Sequence, residues 1–271
     1  MNSDNSIKGR SVLITGGNRG LGREMALHLA KAGVRLCITA SKDGKAYRET
    51  SDELIAILGK DNFLGKIVDV SDSRGMERLT NDCIEKFSRI DVLVNNAARG
   101  MRLISETFNT VPTKFWEADT EAWSNIIDSN IKGPFIAARY VVPHMIKNKF
   151  GKIINISTSS QTMIRKGYSP YGSSKAFLEA TSRSWASDLE GTGVDVNVLL
   201  PGGATDTDLL PPSKNKKGAD GNLLPPSVMN EAILWLVSDK SNGVTGGRFI
   251  GRFWDDLESR ADHKLQNPQI M

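Results

Sequence analysis

Cysteine is scarce in this sequence, and nothing arranges the cysteines as a pair. Only two of the 271 residues are cysteine, Cys37 in an apolar run and Cys83 in a helical pattern. Thiols in such settings are typical of small buried packing residues rather than of a disulfide or a metal site. We therefore expect no bound metal, and a reducing location such as the cytoplasm.

Long apolar runs and concentrated charge are also lacking. No stretch approaches the roughly 20 apolar residues that a membrane-spanning helix needs. The first residues, MNSDNSIKGR, lack the apolar core of a signal peptide. The formal net charge of +4 is spread along the chain, and the densest basic run, 214–217, has no aromatic neighbours. We therefore expect neither a membrane nor a nucleic acid as a partner.

What is present is a series of short apolar runs rich in β-branched residues. Their continuous apolar character is typical of strands that are buried on both faces of a sheet. The predicted strands are 11–15, 35–39, 64–70, 91–95, 152–157, 195–200 and 248–250.

Helical patterns separate these runs. Apolar spacings of three or four residues predict helices at 21–32, 73–87, 123–147, 169–189 and 227–237. Pro143 is expected to kink the longest of them. The alternation predicts an α/β fold of the Rossmann type, with a doubly wound, seven-stranded parallel sheet and helices on both faces. No composition break divides the chain, so we expect a single domain over 1–271.

A glycine-rich turn follows the first predicted strand and opens directly into a helix. The segment 15–22 reads TGGNRGLG, with Gly16, Gly20 and Gly22 in a Gly-xxx-Gly-x-Gly spacing. Such glycines let the backbone approach a pyrophosphate, and the helix start supplies free N–H groups and a positive dipole end. The strand–turn–helix context makes nucleotide binding a better explanation than an ordinary tight turn.

This spacing resembles the cofactor loop of the short-chain dehydrogenase/reductase family, in its single-domain branch. The resemblance extends over roughly residues 8–251 and includes the segments NNAA at 95–98 and YGSSK at 171–175. Ala98 stands where the family has glycine. The resemblance implies an enzyme that uses a nicotinamide dinucleotide to interconvert a carbonyl group and an alcohol.

The end of the second predicted strand indicates which dinucleotide is used. NAD enzymes place an acid there for the ribose 2′-hydroxyl, but Ala40 occupies that position and Ser41 and Lys42 follow. Together with Arg19, these residues favour the 2′-phosphate of NADP(H). Asp43 keeps NAD(H) possible, since a shift of register would restore an acid.

The family's other cofactor contacts carry over to the ends of further strands and to the segment YGSSK. The predicted cofactor-binding residues are Gly16, Asn18, Arg19, Gly20, Leu21, Gly22, Ser41, Lys42, Asp69, Val70, Asn96, Ala97, Tyr171, Lys175, Pro201, Gly202, Ala204 and Thr205. The segment after the sixth strand resembles the family's PGxxxT, but its threonines fall at 205 and 207, one residue to either side of the motif's position, so Thr207 is an alternative to Thr205.

Tyr171 and Lys175 are the predicted catalytic pair. Residues at i and i+4 share one face of a helix. A tyrosine titrates near pH 10, and a nearby ammonium together with the nicotinamide charge favours its phenolate form. Tyr171 can then act as the acid or base that exchanges a proton with the substrate oxygen.

The resemblance implies two further catalytic groups. A hydroxyl thirteen residues before the tyrosine binds the substrate oxygen, and that position holds Thr158. A one-residue slip leaves Ser157 or Ser159 as alternatives. Asn130 matches the asparagine that holds a water molecule beside the lysine.

Two segments beyond the strand ends are expected to enclose the substrate, 99–122 and 206–226, and a polar tail spans 253–271. Their aromatic and basic residues fit a small carbonyl compound without identifying it. The family forms homodimers and homotetramers, so we expect one of these assemblies. The alternative function is a nucleotide-binding regulator on the same fold that has lost its catalytic activity.

Overall fold

The computed structural model describes residues 6–212, 216–218 and 221–254. Most of the tail and part of the basic run 214–217 lie outside these residues. Seven parallel strands form one sheet in the order β3-β2-β1-β4-β5-β6-β7. They are β1 (Ser11–Ile14), β2 (Arg35–Ala40), β3 (Phe63–Ile67), β4 (Val92–Asn95), β5 (Gly151–Ile156), β6 (Val194–Leu200) and β7 (Arg248–Ile250).

Helices cover both faces of the sheet, which confirms the predicted Rossmann-type architecture. They are α1 (Gly20–Lys31), α2 (Lys45–Leu58), α3 (Ser73–Phe87), α4 (Thr120–Ile127), α5 (Gly133–Lys147), α6 (Ser160–Met163), α7 (Tyr171–Asp188) and α8 (Asn230–Val237). In the part of the chain that the structure describes, none of them is long and apolar enough to cross a membrane.

The alternation of side chains along each strand divides the core into two layers. On β1, Val12 and Ile14 pack against α1 and α8, whereas Leu13 packs on the opposite face against α3 and α5. Successive strand residues point to opposite faces of a sheet, so a strand between two helical layers must be apolar throughout. This explains the continuous apolar runs in the sequence.

The sequence patterns missed α2 and misplaced the end of β3. In α2 only Thr50 and Leu54 are buried, so the helix lacks the broad apolar stripe on which a prediction depends. The strand predicted at 64–70 ends at Ile67, because the chain turns at Asp69 to begin α3.

The helix predicted at 123–147 is also wrong in detail. A π-helical turn over 128–132 separates α4 from α5, and α5 continues through Pro143 without ending there. Pro143 lies one turn from the end of α5, where the loss of one backbone hydrogen bond does not end the helix. The irregular turn is instead located at Asn130, and π-helical turns are frequent at functional sites.

The strand order reverses beside β1, which has β2 on one side and β4 on the other. In open α/β sheets the crevice at this point, beyond the carboxyl ends of the strands, is where ligands bind. The turns after β1 to β6 all open at this edge.

Candidate active site

The turn after β1 has the geometry of a phosphate cradle. Gly16 and Gly20 have φ of +64° and +53°, in the region that favours glycine. A Cβ on Gly22 would lie 2.3 Å from the carbonyl oxygen of Gly16. Helix α1 starts at Gly20 without a side-chain cap, so the N–H groups of its first turn are open to an anion. The residues present therefore fit a dinucleotide diphosphate.

The turn after β4 is tied to this cradle. The Nδ2 of Asn96 donates to the carbonyl oxygens of Thr15 and Gly16, each at 3.0 Å. The hydroxyl of Thr15 accepts from the backbone N–H groups of Asn96 and Ala97, each at 3.1 Å. A Cβ on Gly16 would lie 3.0 Å from the Cα of Ala97, so the two turns form one wall of the crevice.

The cradle is also hydrogen-bonded to β2 and to α2. The N–H of Gly17 donates to the carbonyl of Thr39 at 3.1 Å, and the hydroxyl of Thr50 donates to the carbonyl of Asn18 at 3.0 Å. The side chain of Leu21 packs into the core below.

The residues predicted to select the dinucleotide are exposed at the end of β2. Ser41 and Lys42 lie at the surface, and Asp43 forms an ion pair with Arg48 at 3.0 Å. The guanidinium of Arg19 is exposed and lies 3.8 Å from the carboxylate of Asp208. The one acid in this turn is thus already neutralised by a cation.

Asp69, the predicted adenine contact, is engaged within the protein. Its carboxylate accepts from the N–H and hydroxyl of Ser71 at 2.9 and 2.6 Å, and from the guanidinium of Arg99 at 2.9 Å. Burial raises the pKa of Asp69, but these donors outweigh burial and leave the pKa below its ordinary value. Val70 is buried where a Cβ on Gly133 would contact it.

Tyr171 begins α7, and the side chain of Thr158 is a neighbour of its phenol. Burial raises the pKa of Tyr171 to about 12, the Thr158 hydrogen bond lowers it, and neighbouring Tyr168 raises it. The phenol therefore carries its proton at neutral pH. Of the three hydroxyls considered from the sequence, Thr158 is the one in this contact.

Lys175 lies one helical turn after Tyr171 and is buried. Its Nζ donates to the carbonyl oxygen of Ile156, at the end of β5, at 2.8 Å. Burial lowers the pKa of Lys175 to about 8, and the carboxylate of Glu179 opposes that shift. The ammonium is still the main form at pH 7.

Ser157 contacts α7 one helical turn beyond Lys175. Its hydroxyl donates to Oε1 of Glu179 at 2.6 Å, and Nε of Arg248 donates to Oε2 of the same carboxylate at 2.9 Å. The Nη2 of Arg248 also donates to the carbonyl oxygen of Thr158 at 3.1 Å. Ser159 forms the N-terminal cap of α6.

The side chain of Asn130 is bonded to neighbouring parts of the chain, and the predicted contact with water stays a prediction. It bonds to the backbone of Arg99 and donates to the hydroxyl of Ser174 at 3.0 Å. Asn130 is fully buried, so it joins the π-helical turn to α7 and to the segment after β4.

The turn after β6 closes the far side of the crevice. Gly202 has a φ of +90°, and the carbonyl of Pro201 accepts from the N–H of Arg252 at 3.0 Å. Ala204 and Thr205 pair with Leu224 through backbone hydrogen bonds and a parallel bridge. A Cβ on Gly20 would lie 3.3 Å from Thr207 Cγ2, so Thr207, the alternative to Thr205, is the residue that meets the cradle.

The two predicted substrate segments meet beside Tyr171. Met101 and Phe108 from the first segment pack with Tyr168, and Tyr171 and Leu210 border this cluster. The rings of Phe108 and Tyr168 make an edge contact with centroids 5.4 Å apart. The surface next to the Tyr171 ring is therefore apolar.

Several residues at this edge were missed by sequence reasoning. Thr15 and Thr39 bind the turns from inside the sheet, and only the tertiary structure shows these contacts. Glu179 could have been found from the sequence, because it lies four residues after Lys175, just as Lys175 lies four residues after Tyr171.

Over the described part of the chain, no group of three or more His, Cys, Asp or Glu side chains could hold a metal ion, and both cysteines are buried and free.

Comparisons with known proteins agree with this geometry. Residues 10–218 match the family model described as short chain dehydrogenase. Subunit BbsD of the (2S)-[(R)-hydroxy(phenyl)methyl]succinyl-CoA dehydrogenase of Thauera aromatica is 33% identical, covering 89% of this chain and 94% of that protein. The 3-oxoacyl-[acyl-carrier-protein] reductase FabG of Thermotoga maritima is 30% identical, covering 89% and 95%.

A solved structure of similar shape is the 3-ketoacyl-(acyl-carrier-protein) reductase from Brucella melitensis, in complex with NADH. It superposes with a TM-score of 0.76 at 25% identity, covering 89% of this chain and 96% of that one. The family model spans most of the chain, and the relatives align over nearly their whole length. The chain therefore belongs to the short-chain dehydrogenase family and is an oxidoreductase of that type.

Proposed function

We propose that this chain uses NADP(H) to interconvert a carbonyl group and a secondary alcohol, with Tyr171 as the acid and base. The observation that carries the proposal is the placement of Thr158 beside the Tyr171 phenol, with buried Lys175 one helical turn further along α7. This group lies at the crevice that also holds the phosphate cradle. Two hydroxyls that converge there can both bond to one substrate oxygen.

The protein's own residues account for the proton in this reaction. When bound, the nicotinamide supplies or accepts the hydride. Thr158 orients the substrate oxygen, and Tyr171 gives its proton to that oxygen as negative charge develops on it. Burial raises the pKa of Tyr171 to about 12, so the proton is present at neutral pH. The Lys175 ammonium then stabilises the phenolate. The protonated phenol is the form of Tyr171 that carbonyl reduction needs.

The charges around the cradle support NADP(H) over NAD(H). A 2′-phosphate needs cations, and Lys42 and Arg19 are both exposed at the relevant turns. NAD(H) needs a free acid at the end of β2, and Asp43 is paired with Arg48 there. The relative solved with NADH keeps NAD(H) as the second candidate.

The apolar cluster beside Tyr171 supports a substrate with an apolar ring or chain. Arg102, on the same segment, is paired with Glu106 at 2.8 Å and Arg99 with Asp69 at 2.9 Å, closer than the 3.8 Å between Arg19 and Asp208, so both cations already have a near carboxylate partner. The names of the two relatives, a hydroxyacyl-CoA dehydrogenase and a 3-oxoacyl reductase, are consistent with a hydroxyl or ketone as the reacting group.

The contact between Tyr171 and Thr158 also favours an enzyme over a regulator, since a regulator has no need of it. A single domain, a homodimer or homotetramer, and a cytoplasmic location stay predictions from the sequence.

The test is the consumption of NADPH and of NADH, in parallel, with ketones, aldehydes, quinones and 3-oxoacyl thioesters. We expect turnover with NADPH preferred, and loss of nearly all turnover in Tyr171→Phe while NADPH still binds. Phe177→Leu, on the exposed face of the same helix, is the control and should keep its activity. Turnover that survives in Tyr171→Phe would refute the proposal.

A further inference from the structure

We propose that Glu179 and Arg248 are positioning residues for the reaction: together they hold the Ser157–Thr158 turn against helix α7. The inference rests on the proposed function, because it concerns how the Thr158 and Tyr171 hydroxyls are brought together. Their hydrogen bonds are to each other, to Ser157 and to Thr158, so each acts on the reaction through a neighbour.

The contacts join three separate elements. Glu179 lies on α7 one helical turn after Lys175, Arg248 lies at the start of β7, and the Ser157–Thr158 turn follows the end of β5. One carboxylate oxygen of Glu179 accepts from Ser157 at 2.6 Å and the other from Arg248 at 2.9 Å. The guanidinium of Arg248 then reaches the carbonyl of Thr158 at 3.1 Å. The network of Glu179 and Arg248 thereby supplies one hydrogen bond to each of Ser157 and Thr158.

Burial of these two charged side chains costs hydration free energy. The side chains of Glu179 and Arg248 are 1% and 15% exposed. Buried ion pairs often add little net stability compared with apolar side chains of the same volume, because both charges lose their hydration. They do fix geometry, since removal of one partner leaves the other charge buried and unpaired. Here the fixed geometry is that of the turn that carries Thr158.

The network also sets the charge around Lys175. The charged side chain that acts on Lys175 is Glu179 on α7, which is itself paired with Arg248 on β7, whereas Ser157 on the β5 side is neutral. The Glu179 carboxylate favours the ammonium form of Lys175. Glu179 therefore supports the pair in two ways, by geometry and by charge.

Two variants separate these contributions. Glu179→Gln keeps the size of the side chain but removes its charge, so Lys175 loses the carboxylate that favours its ammonium form and Arg248 loses its counter-ion. We expect kcat to fall roughly 10- to 100-fold with little change in KM. The alkaline limb of the pH profile should move to lower pH, because the pKa of Lys175 falls. Arg248→Lys keeps the positive charge, but an ammonium does not span both Glu179 and the carbonyl of Thr158 as the guanidinium does. We therefore expect kcat to fall, while the alkaline limb of the pH profile stays at the same pH as in the wild type.

The matched control is Asp91→Asn. Asp91 is also a buried carboxylate paired with an arginine, Arg89, and it accepts from the N–H of Ser11 at 2.9 Å. It lies at the opposite, amino-terminal edge of the sheet. We expect this variant to lose stability as Glu179→Gln does, but to keep the wild-type kcat and pH profile per folded molecule.

A double variant, Glu179→Gln with Arg248→Met, removes both charges and leaves no unpaired ion. If its kcat stays low, the turn needs the network for its position. Recovery of wild-type kcat in the double variant, wild-type kinetics in Glu179→Gln, or equal losses in Asp91→Asn would each overturn the inference. An inactive wild-type protein would overturn the proposed function itself, and the inference with it.

Discussion

The side-chain amide of Asn130 forms two hydrogen bonds with the backbone of Arg99. Its Oδ1 accepts from the N–H of Arg99 at 2.8 Å, and its Nδ2 donates to the carbonyl of Arg99 at 3.0 Å. Such a pair copies the bonding that a neighbouring strand would provide. It fixes the chain where it leaves β4, and therefore fixes where Arg99 and Met101 enter the crevice.

Replacing Asn130 by alanine should release this anchor. The change leaves buried backbone groups without partners, for which we expect a loss of about 2 kcal/mol in the free energy of unfolding. Urea denaturation measures it. Asn125→Ala, at a half-exposed asparagine on α4, is the control and should cost less than about 0.5 kcal/mol. Equal costs at the two positions would show that the anchor contributes nothing.

The hydroxyl of Thr158, and not its size, should be needed for turnover. Thr158→Val keeps the shape but removes the group that bonds to Tyr171, so we expect kcat to fall by roughly 10²–10³. Thr158→Ser keeps the hydroxyl and should remain within about tenfold of the wild type. Steady-state kinetics with NADPH provides the measurement. A serine variant as impaired as the valine variant would mean that the methyl group matters instead.

Lys42 should discriminate between the two dinucleotides. Lys42→Asp replaces a cation by an anion beside the proposed 2′-phosphate, so kcat/KM for NADPH should fall roughly 10- to 100-fold. The value for NADH should fall much less or rise.

The control for this change is Lys45→Asp. Lys45 is a nearby exposed lysine on α2 whose ammonium lies 3.6 Å from Glu49. Identical effects of the two substitutions on NADPH and NADH would refute the assignment of Lys42 and indicate a general effect of surface charge.

Lys152 should make stability rise with pH above neutrality. It is buried at the start of β5 and donates to Ser241 at 2.7 Å. Burial lowers its pKa from 10.5 to about 8, against the attraction of Asp195. Between these values the unfolded chain holds more protons than the folded one, so the free energy of unfolding increases with pH by up to roughly 3 kcal/mol from this group. Below pH 8 that contribution is lost.

The measurement is the free energy of unfolding at pH 7 and pH 10 for the wild type and for Lys152→Met. The increase between the two pH values should be smaller in the variant, whereas exposed Lys147→Met should behave as the wild type. Lys175 contributes in the same direction in all three proteins, so it cancels in the comparison. An unchanged increase in Lys152→Met would mean that this ammonium is not strained by burial.

Features that depend on local geometry were predictable from the sequence. The seven strands and their parallel order follow from alternating apolar runs, since each strand lies between two helical layers. The cradle follows from three glycines between a strand and a helix. Tyr171 and Lys175 could be paired because helical geometry alone puts residues four apart on one face.

The tertiary structure decided which hydroxyl meets Tyr171. Thr158 and Ser157 are neighbours in sequence with similar chemistry, but Ser157 donates its hydroxyl proton to Glu179, whereas the side chain of Thr158 is the neighbour of the Tyr171 phenol. Arg248 and Thr158 are 90 positions apart and meet because β5, β6 and β7 are adjacent in the sheet. Contacts of this kind depend on the packing of whole elements, which no local pattern in the sequence encodes.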